Sequence, residues 1–316
     1  MAEDTTTPHL FTCFQTSKSL QLIQQLEFLL TKYSAIEHNR LSKQSNAIVE
    51  MIGGKTFLAA VGSNSKDTKA VDIGCGTGHA TLDLVEKFPI GQIYGLDISP
   101  VPEETLKVSP PNVKFLLGSY LDLDFQNGAT RSLVGAPGVF VPGEFDFIFG
   151  RMLIMAINDW AKYFSTSLAL LKPGAYIEHQ DVDWVFFSQE GGKRVSDNWE
   201  WLQAVTAEAA TSGIDLSVGS NTAARMAEAG LEVVEVKQFE FSFVPSEKAP
   251  ESLTMGKYVQ QLMVEIFPGL LKSILGKGGR YSHETIDRLI KECLSDSYSE
   301  DGIHLKYTVT VAKKPE

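Results

Sequence analysis

The stretch KAVDI (Lys69–Ile73) is an apolar run of strand length that passes straight into Gly74, Gly76 and Gly78, and a helical pattern begins near His79. No other feature constrains the fold as strongly. An unbroken apolar strand joined to a helix by so short a turn is the opening of a βαβ crossover. Such crossovers are right-handed and build a parallel sheet. The alternation then repeats. HATLDLVEKFP reads as a helix, QIYGLDIS and VKFLLGS as strands, and FDFIFGRML as a fourth strand. DWAKYFSTSLALLKPG reads as a helix stopped by Pro173–Gly174, and AYIEHQDVDW as a fifth strand. The expected class is α/β, with a Rossmann-like, mostly parallel sheet.

Further along, GSNTAARMAEAGL is helical and precedes a strand, EVVEVKQFEFSF. Glu251 to Ser295 is largely helical, and IHLKYTVTVAKK alternates as a closing strand. The long gap before that strand suggests a return from another layer, antiparallel to its neighbours. Upstream, Ser17 to Tyr33 carries apolar residues at helical spacing, and a second helical stretch runs from Glu37 to Ala60 with a break near Gly53–Gly54. Both precede the first strand and read as a cap. GSNSKDTK (Gly62–Lys69) is a polar linker, and Gln126 to Gly143 reads as a surface loop between the third and fourth strands. The expected division is residues 1–66 as an N-terminal helical cap or lid and 67–316 as the core, with a helical insertion over about 245–300.

The glycine turn restricts the ligand. A dinucleotide fingerprint requires a small residue three places after its second glycine, so that helix and strand pack closely. That place is held by His79, and the fingerprint fails. The spacing present is G-x-G-x-G preceded by Asp72. An acid and a row of turn N–H groups suit an amino-acid tail, the acid taking an ammonium and the N–H groups a carboxylate. The second strand ends at Asp97, about 20 residues after the glycines, where a carboxylate can accept both hydroxyls of a ribose. Ligands of open α/β sheets bind outside the carboxyl ends of the strands, where Asp72, Gly74, Cys75, Gly76, Gly78 and Asp97 converge. An adenosine joined to an amino acid satisfies all of these, and S-adenosyl-L-methionine is the expected cofactor.

VDIGCGTG and GLDIS resemble the first two motifs of class I methyltransferases. RLSKQ, GGKTFLAAV, FDFIFGRML, DWAKYF and LKPGAYIEHQD extend the likeness to the fungal methyltransferase-like proteins of secondary metabolism, the family of the velvet-complex regulator, from Glu37 to the C-terminus. The resemblance implies a seven-stranded sheet whose last strand is antiparallel and inserted beside the fifth, with the helices of Glu251–Ser295 joining the N-terminal helices as a lid. It also implies that Ile98, Ser119 and Tyr120 flank the adenine. Family members usually carry an acidic residue after the third strand, where LLGSYLDL here places Gly118 and Ser119; a hydroxyl bonds adenine more weakly than a carboxylate does. His79 or Ala80 stands where the subfamily often has tryptophan.

Methyl transfer from a sulfonium is an in-line displacement that needs a positioned nucleophile and a dry site. Where the acceptor must lose a proton, a base helps. His179 and Asp181 fall on one face of the fifth strand, Glu178 and Gln180 on the other. His179 is the first candidate base, with Asp181 beside it and His38 in the cap as a second. Arg151, at the end of the fourth strand, is placed to bind the methionine carboxylate or a substrate anion. Cys75 reads as a small packed side chain, not a nucleophile. The aromatic run after the fifth strand and the helix MGKYVQQLMVEIF suggest an apolar pocket lined by Met152, Trp184, Phe187, Met255 and Tyr258. No metal-ligand spacing is present, and none is expected.

The charge narrows the partners. A formal net charge of −11 repels phosphate backbones and anionic lipid, so neither nucleic acid nor membrane is expected. Three cysteines, widely spaced and odd in number, imply no disulfide framework. The opening MAEDTTTPHL has no basic or apolar leader pattern, and the expected compartment is the cytoplasm, with the nucleus also compatible. The expected activity is S-adenosylmethionine-dependent methyl transfer to a small, largely apolar natural product at O, N, S or C. Two alternatives share the fold: an enzyme repurposed for cyclisation or pericyclic chemistry, and a regulator acting through protein partners. A homodimer or a protein partner is compatible with either.

Overall fold

The structure is a computed structural model describing residues 35–123, 138–189, 192–299 and 301–316. The expected helix at Ser17–Tyr33 and most of the expected Gln126–Gly143 loop lie outside the described residues. Seven strands, β1 (Lys69–Ile73), β2 (Gln92–Asp97), β3 (Val113–Leu117), β4 (Phe145–Arg151), β5 (Leu171–Val182), β6 (Glu232–Ser242) and β7 (His304–Lys313), form one sheet ordered β3-β2-β1-β4-β5-β7-β6. The pairings β1–β2, β1–β4, β2–β3 and β4–β5 are parallel. β7 runs antiparallel to both β5 and β6. It is the inserted last strand that the resemblance implied, and nearly every residue along it is buried. One edge of the sheet therefore gathers the carboxyl ends of six strands and the amino end of β7.

The described helices are α1 (Ala35–Met51), α2 (His79–Lys87), α3 (Glu103–Val108), α4 (Trp160–Leu170), α5 (Glu200–Thr211), α6 (Val218–Glu228), α7 (Leu253–Glu265), α8 (Phe267–Gly276) and α9 (His283–Asp296). Two boundaries differ from the sequence reading. The cap helix stops at Met51, not Ala60. Gly53 and Gly54 take φ of +86° and +77°, and the chain beyond them is held in extended form because the Leu58 and Ala59 N–H groups donate to the buried Glu178 carboxylate at 2.9 and 2.7 Å. The helix before β5 stops at Leu170, so Pro173 and Gly174 belong to the strand. Gly174 donates its N–H to Lys314 O there.

The helices α7, α8 and α9 lie in sequence between β6 and β7, and α7 packs on α1. Thr254 and Glu50 bond across that contact at 2.8 Å. Under the sheet, Phe57 sets its ring edge-on to Phe147 and Phe149. Among the described residues no helix is long and apolar enough to cross a membrane.

Candidate functional site

The turn after β1 is built by glycine. Gly74, Gly76 and Gly78 take φ of +67°, +54° and +80°, values that other L-residues reach at a cost of about 1–2 kcal/mol. Space is as restrictive as angle. A Cβ on Gly74 would overlap the Leu153 side chain, and one on Gly78 would sit 2.8 Å from the Phe115 ring. The Gly74 and Cys75 N–H groups donate to Leu96 O, tying the turn to β2. At the end of β2, Asp97 accepts from the Gly76 N–H at 2.8 Å and from the Ser99 N–H at 3.0 Å. These bonds fix the orientation of the carboxylate where β2 ends.

Asp72, at the carboxyl end of β1, is buried and accepts from the Thr81 hydroxyl at 2.7 Å. Burial pushes its carboxyl up to about 7; the Thr81 bond and the Arg151 charge pull the other way without prevailing. Arg151 closes β4. Its Nη2 donates to Ser45 Oγ at 2.8 Å, while Nη1 is buried with no protein partner. Burial and two nearby carboxylates hold the Cys75 thiol well above its usual range. That keeps it a packed neutral side chain.

These groups face one cleft of about 370 Å³, within the ~300–1,000 Å³ usual for small-molecule sites. Asp72, Gly74, Cys75, Gly76, Asp97, Ile98, Ser119, Tyr120 and Arg151 all line it. Gly78 does not. It shapes the turn as the left-handed residue before α2. The Tyr120 hydroxyl is taken by Ser167 at 2.9 Å, which leaves the ring as its contribution. His79 lines the cleft half-buried, its Nδ1 2.9 Å from the Thr77 hydroxyl.

Of the residues expected at an acceptor, Met152 and Trp184 line the same cleft. Three others do not. Phe187 bridges to Arg194 and His304 beyond the end of β5 and carries the Lys306 ammonium 4.4 Å over its ring. Met255 is fully buried on α7. Tyr258 touches the site only through Arg40, which donates to its hydroxyl at 2.9 Å.

The proposed bases are likewise set back. His179 and Asp181 are both fully buried and neither lines the cleft. The imidazole is enclosed by Trp160, Tyr163 and Phe164 of α4, with ring centroids 5.1, 5.6 and 6.0 Å away. The strand face that carries it is covered by a helix and does not open to ligand. His38 is not a cleft residue either.

The N-terminal segment was expected as a cap or lid, but the residues with which it roofs the cleft were not singled out in the sequence. Glu37, Arg40, Leu41, Gln44, Ser45 and Ile48 of α1 line the cleft, and their spacing is one helical face. Arg40 binds Glu37 through two nitrogens at 2.7 and 2.6 Å. Burial opposes the guanidinium charge, but the bonds to Glu37 and Tyr258 outweigh it, and the net direction is up. Beyond Met152 the lining becomes apolar. Phe241 and Phe243 come from the end of β6, Leu305 from the start of β7, and Val259, Leu262 and Phe267 from α7 and α8. Phe267 stacks on Trp184 at 5.6 Å.

The donor set fits an adenosyl amino acid. An unpaired buried guanidinium nitrogen suits a carboxylate, Asp72 an ammonium and Asp97 a ribose, and the glycine cradle lacks the Cβ atoms that would bar a close approach.

Comparison with known proteins agrees with this geometry. A family model described as a methyltransferase domain matches residues 44–236, more than half the chain. The chain is 24% identical over 149 residues to "Methyltransferase str2" of Strobilurus tenacellus, covering 47% of each protein. It is 26% identical over 118 residues to "Secondary metabolism regulator laeA" of Monascus pilosus, covering 37% of this chain and 28% of that one. The chain thus spans less than half the length of these curated relatives. Among solved structures, Haemonchus contortus phosphoethanolamine N-methyltransferase 2 with S-adenosyl-L-methionine superposes with a TM-score of 0.51 at 16% identity, over 93% of this chain and 60% of that one. That likeness concerns the fold.

Proposed function

The chain belongs to the methyltransferase-domain family, the class I S-adenosylmethionine-dependent methyltransferases, and from that premise we propose that it transfers a methyl group to a small, largely apolar acceptor of secondary metabolism. The observation that carries the reading is the division of one continuous cleft. Its polar half stands at the ends of β1, β2 and β4, and its apolar half at the ends of β6 and β7 under α7 and α8.

When bound, S-adenosylmethionine supplies an electrophilic methyl on a sulfonium. Asp72 holds the ammonium, Arg151 Nη1 the carboxylate and Asp97 the ribose, with Ile98, Ser119 and Tyr120 around the adenine. Met152 and Leu153 stand between the two halves. Trp184, Phe267 and Phe243 orient the acceptor by shape and exclude water, which favours displacement by a positioned nucleophile. His179, Asp181 and His38 are set too far back to take its proton directly. Glu37 on the roof and His79 after the turn do line the cleft, the first bound to Arg40 and the second beside the Thr77 hydroxyl.

Calorimetry with S-adenosylmethionine and S-adenosylhomocysteine tests the donor half. Mass spectrometry of reactions with apolar phenols, acids, amines and thiols then looks for S-adenosylhomocysteine together with an acceptor heavier by one methylene. Stoichiometric binding and one methylated acceptor support the proposal. Absence of binding to either nucleoside overturns it.

A further inference from the structure

Met152 is the one residue other than glycine, among the described residues, with a left-handed backbone, at φ 54°. A methionine takes that conformation only where its surroundings impose it. Two hydrogen bonds from β5 do so. The Met152 N–H donates to Gln180 O at 2.8 Å, and the Leu153 N–H donates to the Asp181 carboxylate at 2.8 Å. The other Asp181 oxygen accepts from the Val182 N–H at 3.0 Å. His179 Nε2 lies 3.3 Å from the oxygen that takes Leu153.

What Asp181 holds does reach the cleft, although Asp181 itself does not. Arg151, Met152 and Leu153 are consecutive and all three line it. Leu153 fills the space above Gly74 that a Cβ would need. The same turn therefore sets the direction of the unpaired Arg151 nitrogen, the wall between the two halves, and the packing on the glycine loop.

The imidazole is aimed from behind. Gly150 leaves room for it: a Cβ there would overlap the Tyr163 hydroxyl and come within 3.3 Å of His179 Nδ1. Both of those polar atoms are buried without a protein partner. Nε2 is likewise without a hydrogen-bond partner, so the ring is held by its packing against Trp160, Tyr163 and Phe164, with Nε2 lying 3.3 Å from Asp181. The Asp181 side chain is fully buried and accepts from the turn at Leu153 and from the adjoining Val182 N–H, with the His179 ring beside it.

We infer that Asp181, oriented by His179, is a positioning residue of the cofactor site: it fixes the left-handed turn at Met152 and, through it, the aim of Arg151 and Leu153. The inference rests on the proposed function for what the cleft holds.

The test separates the two. S-adenosylhomocysteine affinity is measured by calorimetry, and exchange of the Leu153 amide by NMR or mass spectrometry, in wild type, Asp181→Ala, Asp181→Asn and His179→Phe. Leu289→Ala, a buried change on α9 away from the cleft, serves as the stability control. Loss of a charge-assisted bond predicts roughly 30-fold weaker binding for Asp181→Ala, and about fivefold for Asp181→Asn, which keeps an acceptor for Leu153. The control stays within about twofold of wild type at comparable thermal destabilisation, and the Leu153 amide exchanges faster only in the Asp181 and His179 variants. Should Asp181→Ala fail to fold, His179→Phe carries the test, with weaker binding and faster Leu153 exchange expected. Wild-type affinity together with wild-type Leu153 protection, in Asp181→Ala or in His179→Phe, overturns the inference. A wild type that binds no nucleoside defeats the proposed function instead, and Leu153 exchange still reports on the turn.

Discussion

Asp72→Asn separates what the site costs the fold from what it does for a ligand. Asp72 is buried, its charge desolvated, with one hydroxyl donor in Thr81. Burial carries its carboxyl from an ordinary 3.8 to about 7 in the folded chain. Between those two values the native protein binds more protons than the unfolded one, so stability falls as pH rises across that window and is level above it. At about 1.4 kcal/mol per pH unit the full span is roughly 4 kcal/mol. An asparagine still accepts from Thr81 and never ionises. The variant is therefore expected to match wild type near pH 4 and to exceed it by roughly 2–4 kcal/mol at pH 8. The same change removes the anion facing the ligand ammonium and weakens S-adenosylhomocysteine binding by roughly 30-fold or more. Urea unfolding of both proteins between about pH 4 and pH 8 measures the first effect, calorimetry the second. Wild-type affinity should also rise with pH through the window, with proton release on binding. A variant no more stable than wild type at the alkaline end, or a stability difference independent of pH, would refute the reasoning.

Arg151→Met removes the unpaired Nη1 and the bond to Ser45; roughly 30-fold weaker S-adenosylhomocysteine binding with a small change in Tm is expected, read by calorimetry and thermal melts. Gly78→Ala combines a left-handed backbone with a Cβ 2.8 Å from Phe115, at about 1–2 kcal/mol for the angle and about 1–3 for the overlap, so urea unfolding should show a loss of roughly 2–5 kcal/mol. Trp184→Leu takes away the face stacked on Phe267; KM for an accepted acceptor should rise while S-adenosylhomocysteine affinity stays within about twofold.

The donor half was legible in the sequence because its determinants are local. Positive φ demands glycine, and the strand, turn, helix and next strand from Lys69 to Asp97 fit within one crossover. The acceptor half was legible only at Met152 and Trp184, because the rest depends on which side chains β6, β7 and the helices between them bring together. Phe241, Phe243 and Leu305 meet only once β7 lies antiparallel between β5 and β6, and in sequence they are ordinary strand residues. Phe187 and Met255 have the same chemistry and fell on the wrong side of that packing. Alternation on β5 correctly paired His179 with Asp181 and Glu178 with Gln180, which lie 2.5 Å apart. A period of two says which side chains share a face, but not what covers it. Trp160, Tyr163 and Phe164 cover the His179 face, so a residue of suitable chemistry became a support. The α1 stripe from Glu37 to Ile48 was visible as helical spacing, yet its mixture of charged and apolar residues reads equally as the solvent-facing side of a cap.

The two halves of the cleft are joined at few points, and those points identify what must stay coordinated. The glycine turn is fixed by backbone bonds to β2 and by Asp97, none of which involves α7 or α8. The acceptor wall is fixed by aromatic packing such as Trp184 on Phe267, which needs no polar partner in the donor half. The bridge is α1: Ser45 accepts from Arg151 in the donor half, and Arg40, paired with Glu37, donates to Tyr258 on α7. Immediately after α1 come Gly53 and Gly54, where added side chains would meet nothing within 4 Å. Apart from Tyr258 and Thr254, which bond Arg40 and Glu50 of α1, α7 and α8 contribute apolar side chains such as Val259, Leu262 and Phe267, whose exchange alters local packing and leaves the bonds of the glycine turn in place. Changes at Arg40 or Ser45 act on both halves together, because one rigid helix carries both contacts.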